Sequence, residues 1–146
     1  MKNLSIAFIA ITLVFMSCSK EKKALKNIEG TWNVTAMTAD SAGNVTDMWA
    51  IMSAFGVSSM KYQFEAGEAG TGGTAYMITE SNFLGMGAST DTDTITYSIS
   101  SDGATISMTD DGETSSATID KLTSSAFEIS ETDSLGIISK VTMAKE

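Results

Sequence analysis

Carboxylates and hydroxyls are the side chains of this sequence that could do chemistry, because their usual catalytic partners are missing. The 146 residues include 18 Asp and Glu but no His, and no Arg occurs anywhere. His most often acts as the general base near neutral pH, and Arg is the bidentate clamp for phosphate or carboxylate. Paired carboxylates could serve a glycosidase, but the acidic residues fall mainly in apparent turns and at outward positions. The sequence therefore predicts a protein that is not an enzyme.

Two acidic stretches are candidates for a metal site, namely Asp91-x-Asp93 and Asp110-Asp111-Gly112-Glu113. Calcium is held by six to eight oxygens, and an EF-hand loop needs its acidic residues and glycine in a fixed order. Neither stretch has that order. Zinc and copper sites are built mainly from His and Cys. We therefore expect these stretches to be solvated turns, and we predict no metal or other cofactor.

The single cysteine, Cys18, comes shortly after an uncharged apolar run over residues 4–16. As a helix at about 1.5 Å per residue, this run would reach only about 20 Å. A bilayer core is roughly 30 Å thick, so the run is too short to span it. A short apolar run after a basic start at Lys2 is typical of a cleaved signal peptide.

The residues around Cys18 indicate how the signal peptide ends. Ser17 and Ser19 flank the cysteine, and this step resembles the acylation site of a bacterial lipoprotein signal. The resemblance implies a signal peptide over residues 1–17, a lipid such as palmitate on Cys18, and a lipid-anchored place in the cell envelope, at the outer membrane. The alternative is an ordinary secreted protein with one unpaired cysteine.

The next segment, residues 18–27, contains four lysines and few apolar residues, and we predict a flexible, lipidated tether there. Its charge could lie against anionic head groups. The whole chain has a formal net charge of −9. Because nucleic-acid phosphates repel an acidic protein, a nucleic-acid partner is not expected.

From Gly30 onward, apolar and polar residues alternate, which is the pattern of half-buried β-strands. Eight such runs occur within residues 28–146. In the first run Trp32, Val34 and Ala36 share one phase, and Leu122 breaks the phase at the end of the sixth.

The connections between these runs are mostly short. Asp102-Gly103 and Asp111-Gly112 each separate two runs and supply the positive φ that a tight hairpin needs. Consecutive antiparallel strands with short connections can close into an up-and-down barrel, which leaves no exposed sheet edge. We predict an all-β domain over residues 28–146, an eight-stranded antiparallel barrel. A β-sandwich is the alternative.

Residues 46–55, between the first two runs, have a helical rather than an alternating pattern. Thr46 can cap the start of this helix and Gly56 can end it. So short a helix is not stable alone in water and must pack on other elements. It could be a lid over one end of the barrel or core filling under a loop. The apolar stripe is formed by Met48, Ile51, Met52 and Phe55.

Gly30-Thr31-Trp32 opens the first strand, and a Gly-x-Trp step at this point resembles the lipocalin superfamily. Together with the acylation signal it resembles the small lipocalin-like lipoproteins of Gram-negative bacteria. The resemblance implies that Gly30 and Trp32 plug one end of the barrel. In that family an Arg lies over the Trp. This chain has no Arg, so Lys140 or Lys145 would take its place as a cation–π partner.

An apolar group in the helix and nearby loops is the candidate ligand-binding site. Methionine adapts to varied shapes and is common at promiscuous apolar surfaces, although the same residues could simply fill a narrow barrel. We predict a membrane-anchored binding module for a small apolar ligand. The alternative is a structural or interaction lipoprotein without a small-molecule ligand, such as an accessory to an envelope protein complex or a protease-inhibitor-like barrel. The predicted ligand-binding residues are Met48, Met52, Phe55, Met60, Phe83 and Met86.

Overall fold

The computed structural model describes residues 20–68, 70–83 and 87–146. The predicted signal peptide, Cys18 and Met86 therefore lie outside the described residues. Helix α1 covers residues 20–28, and helix α2 covers Met48–Ala54. None of the helices in these ranges is both long and apolar enough to span a bilayer. The strands are β1 (Gly30–Ser41), β2 (Asn44–Asp47), β3 (Val57–Ala66), β4 (Gly72–Ser81), β5 (Ser89–Ile99), β6 (Thr105–Asp110), β7 (Glu113–Leu122), β8 (Ala126–Thr132) and β9 (Ile138–Lys145).

The strands form one antiparallel sheet that closes on itself. From β3 to β9 each strand pairs with the next in the chain, and β1 pairs with both β3 and β9. The short β2 pairs only with the end of β1, so eight strands form the closed barrel. The predicted eight-stranded barrel is confirmed, and the sandwich alternative is wrong. Short connections leave each strand beside its sequence neighbour, which is why the strand order in the barrel is the chain order.

Tight turns join the strands where the sequence predicts them. Asp111 and Gly112, between β6 and β7, have φ angles of 45° and 86°. Positive φ at both central residues matches the right-handed twist of a two-residue hairpin. Gly103, between β5 and β6, has a φ of 71°. The Asp-Gly steps therefore set the register of the two hairpins that they close.

Two β-bulges change which residues face the interior. The register of β1 with β9 shifts between Val34 and Ala36, and Met37 rather than Ala36 packs against the core. The register of β7 with β8 shifts between Ile119 and Lys121. One extra residue in a strand moves every later side chain to the other face. The second bulge explains why Leu122 breaks phase and still packs inward.

We name the two ends of the barrel by the elements that they carry. The floor carries α1, the start of β1 and the end of β9. The mouth carries α2, the connection between β6 and β7, and the connection between β8 and β9. The floor contains an aromatic cluster in which Trp32 and Phe127 meet edge to face, with ring centroids 5.6 Å apart. Phe64 joins both Phe127 and Tyr97, at 6.0 Å and 5.2 Å.

Helix α1 differs from the flexible tether that the sequence analysis predicts for residues 18–27. The segment is helical from residue 20, and Ala24 and Leu25 are buried against the barrel core. Ile28, one turn after Ala24, is fully buried. A helix with one apolar stripe is stabilised when that stripe is buried, and the lysines stay in water on the other faces. The packed domain therefore begins before residue 28.

Candidate functional site

The candidate site is an open cavity at the mouth. It has a volume of about 390 Å³, and its apolar wall is formed by Tyr62, Ile95 and Met108. Asp110 and Glu113 lie on its rim, where they are paired in register across the β6–β7 hairpin. Thr114 and Ser115 complete the lining, so an apolar inner wall meets a polar rim, as in many small-molecule sites.

A smaller cavity of about 120 Å³ extends this site toward β8 and β9. It shares Tyr62 and Met108 with the larger cavity and adds the side chains of Ala117, Ile129 and Val141. We call the two together the mouth cavity. Because side chains alternate along each strand, these residues lie on the inner face above the packed aromatic cluster. The barrel is thus filled at the floor and open at the mouth.

The inner face changes from apolar to acidic toward the mouth. On β6 the inward positions are Ile106, which is fully buried, Met108, which is half-buried, and Asp110, which is exposed. On β8, Ile129 and Glu131 repeat this order and both line the mouth cavity. A ligand here would meet apolar side chains along its inner part and carboxylates around its outer part.

No basic side chain balances the rim carboxylates within the lining of the mouth cavity. Lys61 pairs with Glu146 at 3.1 Å, and Lys140 pairs with Glu128 at 2.8 Å, both outside this lining. Burial raises the pKa of the Tyr62 phenol, so its hydroxyl stays protonated at neutral pH and can donate a hydrogen bond.

Residues at the floor seal the opposite end. Trp32 is 0% exposed, and its Nε1 donates a hydrogen bond to the Ile28 carbonyl at 2.6 Å. Lys145 Nζ lies 5.1 Å from the Trp32 ring centroid and donates to the Glu29 carbonyl at 2.6 Å. Of the two lysines considered from the sequence, Lys145 is therefore the cation over the Trp, whereas Lys140 pairs with Glu128.

Gly30 fits this floor for two reasons. Its φ of +114° lies in a region that other residues rarely adopt. A Cβ at this position would also come within 3.0 Å of Lys145 Cε, the side chain that covers Trp32. The Gly-x-Trp step thus positions both the ring and the cation above it.

Helix α2 lies between β1 and β3 at the mouth, and its cap differs from the sequence expectation. The side chain of Asp47, rather than Thr46, caps the helix by accepting a hydrogen bond from the Ala50 amide at 2.9 Å. No residue of the helix is buried, and Phe55 is 65% exposed. Trp49 of this helix nevertheless packs against the core, so the helix is attached to the barrel through one partly buried side chain.

The five predicted ligand-binding residues that the structure describes are spread around the mouth and do not line its cavity. Met60 packs against the core, Met48 and Met52 are half-buried, and Phe83 is 47% exposed. None of these four, and not Phe55, occurs in the lining of the mouth cavity. The sequence analysis missed Tyr62, Ile95 and Met108, whose alternation identified them only as strand residues.

The acidic stretches have different structural settings. Asp110 to Glu113 forms the end of the β6–β7 hairpin, as expected for a solvated turn. Asp91 and Asp93 instead lie within β5, where both are exposed. Across residues 20–68, 70–83 and 87–146, no three Asp, Glu, His or Cys side chains are grouped closely enough to hold a metal ion.

The fold and the Gly-x-Trp floor agree with a sequence comparison. The family model of the lipocalin-like domain matches residues 28–129. The chain belongs to the lipocalin-like domain family. No match is found among the curated proteins.

The chain is also similar to solved structures. Japanin from Rhipicephalus appendiculatus, whose structure is described as bound to cholesterol, has a TM-score of 0.55 at 10% identity, over 79% of this chain and 74% of its own. A lipocalin-like protein from Bacteroides uniformis has a TM-score of 0.49 at 17% identity, over 82% of this chain and 99% of its own. At 10% identity the likeness to Japanin shows the fold alone.

Proposed function

We propose that this protein is a non-catalytic binding module that holds a small apolar ligand in the mouth cavity. The observation that carries the proposal is the cavity of about 390 Å³ above a packed floor. Ligand sites are commonly about 300–1,000 Å³ with mainly apolar walls. Japanin, which has the same fold, is described as bound to cholesterol, an apolar molecule. The volume here lies near the lower end of the range and favours a small ligand.

The rim restricts the charge of that ligand. Asp110, Glu113 and Glu131 line the outer part of the cavity, and no lysine lines it. An apolar ligand with an anionic head would bring like charges together at the rim. We therefore propose a ligand that is neutral or carries a positive charge at its outer end.

The proposed place of action is the cell envelope. The apolar run over residues 4–16 and the Ser17-Cys18-Ser19 step support cleavage and acylation at Cys18. Two or more acyl chains give stable membrane attachment, since each buried methylene contributes about 0.8 kcal/mol. The binding module would thus stay on a membrane, which we propose is the outer membrane, as a lipoprotein. Fatty-acid labelling of wild type and Cys18→Ala tests this, and equal label in both would contradict it.

Uptake of a fluorescent apolar probe tests the binding site. Met108→Trp should fill the space that the two parts of the cavity share, and we expect the probe Kd to rise at least tenfold. Thr118→Trp is the control, because Thr118 is exposed on β7 and lies outside the lining of the mouth cavity. Thermal unfolding of both variants shows that the fold is kept. Absent binding in wild type, or equal binding in both variants, would contradict the proposal.

A matched series of probes tests the charge preference. We expect dodecyltrimethylammonium to displace the fluorescent probe at lower concentration than dodecyl sulfate, by roughly tenfold at low salt. The combined change Asp110→Asn and Glu113→Gln should reduce this ratio severalfold. Glu65→Gln with Glu68→Gln removes the same charge away from the mouth and is the control. If both double variants leave the ratio of the two displacing concentrations unchanged, the rim carboxylates do not determine the charge preference.

A second function is supported by a different feature of the mouth. The exposed large apolar residues of the described chain all lie at this end, and a concentration of this kind marks interaction sites. The second candidate is therefore an interaction lipoprotein that contacts an envelope protein through the mouth. Native mass spectrometry of protein from its own host separates the two, because a co-purifying small molecule favours the binding module. The exposed large apolar residues at the mouth are Val45, Ile51, Phe55, Phe83, Leu135 and Ile138.

A further inference from the structure

Helix α1 presents lysines on the side that faces away from the barrel. Ala24 and Leu25 are buried and Ile28 is fully buried, so these residues define the side against the floor. At about 100° per residue, Lys26 lies on the opposite side of the same helix and Lys22 lies on its flank. Both are exposed. The outward surface of α1 is therefore basic.

The positive charge is concentrated there. Residues 20–26 contain four of the nine lysines and one of the 18 acidic residues. Lys20, Lys23 and Lys121 also line a cavity of about 280 Å³ between α1 and the barrel, together with Asp102 and Asp120. The rest of the chain is strongly acidic, and the mouth rim carries carboxylates with no lysine in the cavity lining. Positive charge is therefore concentrated on α1, although the carboxylates of Glu29, Asp102 and Asp120 also lie at the floor.

The helix is held firmly enough for its surface to orient the whole barrel. The Ile28 carbonyl accepts the hydrogen bond of Trp32 Nε1, and Lys145 Nζ donates to the carbonyls of Asn27 at 3.3 Å and Glu29 at 2.6 Å. A Cβ on Gly103, in the β5–β6 turn, would lie 3.1 Å from the Lys20 carbonyl oxygen, which shows how closely this turn approaches α1.

We propose that the floor is a docking surface for an anionic phospholipid membrane, with α1 against the head groups and the mouth turned away. The orientation rests on the proposed anchor at Cys18. Two residues span at most about 7 Å, so a lipid on Cys18 holds the start of α1 close to the head groups. Lysines within about 8 Å of an anionic surface are attracted to it.

The acidic mouth favours the same orientation, because an anionic surface repels it. β4 has ten residues, which span about 33 Å, and the usual tilt of barrel strands reduces the floor-to-mouth distance to about 25 Å. When the floor is docked, the mouth therefore lies well beyond the roughly 8 Å over which the surface charge of the membrane acts. The cavity then opens toward the aqueous compartment rather than into the bilayer.

Two site-specific labels test this orientation in the lipidated full chain. Ser124→Cys places a fluorophore at the floor, between β7 and β8, and Leu135→Cys places one at the mouth, where Leu135 is 84% exposed. Vesicles of phosphatidylethanolamine and phosphatidylglycerol carry a nitroxide quencher on the head groups. We expect quenching of the floor label at least threefold stronger than that of the mouth label.

Lysine variants identify the cause of the orientation. Lys22→Gln with Lys26→Gln should at least halve the floor quenching, as should replacing phosphatidylglycerol by phosphatidylcholine. Lys61→Gln with Lys140→Gln changes the net charge equally on the barrel wall and should leave the quenching unchanged. Equal quenching of both labels, stronger quenching at the mouth, or no effect of the α1 variant would overturn the proposal.

Separate measurements keep this proposal distinct from the proposed function. Fatty-acid incorporation reports whether Cys18 is the anchor, and probe uptake by the same preparations reports whether the cavity binds an apolar ligand. If Cys18 carries no lipid, flotation of the full chain with anionic vesicles still tests the lysine surface. An α1 double variant that floats as well as wild type would then overturn the docking surface by itself.

Discussion

The floor and the mouth of the barrel are built from the same eight strands, yet they are used differently. At the floor, Trp32, Phe64 and Phe127 pack ring against ring and leave no room for a ligand. At the mouth, Tyr62 and Met108 stand around an open cavity. Aromatic rings give much apolar contact for each inward position, so a few of them at one end stabilise the fold. The mouth can then keep an open cavity without loss of the fold.

Trp32→Ala should have the largest effect on stability, because it removes the centre of the floor. A buried Trp replaced by Ala typically costs about 3–5 kcal/mol, out of roughly 5–15 kcal/mol for a whole domain. The change also removes the hydrogen bond to the Ile28 carbonyl. Urea unfolding should show a greatly lowered midpoint. A midpoint close to that of wild type would show that Trp32 contributes little to stability and would contradict this prediction.

Phe55→Asp tests the mouth end and should have a moderate effect on binding with little effect on stability. Phe55 is 65% exposed next to α2, so a carboxylate there stays in water and loses no hydration. We expect the unfolding free energy to change by less than about 1 kcal/mol. If α2 is a lid, stopped-flow displacement of an apolar probe should become severalfold faster.

The opposite outcome for Phe55→Asp would also be informative. A large loss of stability would mean that α2 supports the core rather than covering the cavity. If both the probe kinetics and the stability are unchanged, α2 does not control access to the cavity. Val45→Asp, on the exposed strand β2, is the matched control for adding a carboxylate at this end.

Tyr97→Phe should have the smallest effect, and it distinguishes packing from polarity at the floor. Among the described residues, the Tyr97 hydroxyl is a buried polar atom without a hydrogen-bond partner. Removing it leaves the ring contact with Phe64 and eliminates an unsatisfied group. We expect unchanged stability or a gain of up to about 1 kcal/mol at neutral pH, measured by urea unfolding.

The pH dependence of this variant has a definite sign. Burial, and to a lesser extent the Glu29 carboxylate, raises the pKa of Tyr97. The raised pKa contributes stability that is complete below the ordinary tyrosine pKa of about 10 and is lost as pH rises through the folded value. Tyr97→Phe should therefore unfold less readily than wild type above about pH 10. Equal alkaline unfolding of the two proteins would contradict this reasoning.

Much of the fold can be predicted from the sequence because alternation and turn chemistry are local. The Asp-Gly steps at Asp102 and Asp111 mark hairpins that the structure contains. The bulges after Val34 and Ile119 are not visible in the same way, since a single extra residue in a strand leaves composition and propensity unchanged. The first bulge turns Met37 rather than Ala36 inward.

Helix α1 and the mouth cavity are harder to predict, for different reasons. Ala24, Leu25 and Ile28 form a short apolar stripe that is present in the sequence but is outweighed by four lysines. The cavity has no local signal, because Tyr62 and Met108 have the same alternating pattern as residues that fill the floor. Which inward positions remain uncovered depends on how far the neighbouring strands and turns extend, which is a property of the closed barrel.

The pairing of β1 with β9 joins distant parts of the chain. The hydroxyl of Thr35 donates to the Thr142 carbonyl at 3.1 Å, across 107 residues of sequence. Contacts of such long range are made late, because the entropy of closing a long loop must be overcome first. During synthesis the barrel cannot close before β9 has emerged, because β9 pairs with β1. The Lys145 contact over Trp32 joins the same two strands and therefore also depends on closure of the barrel.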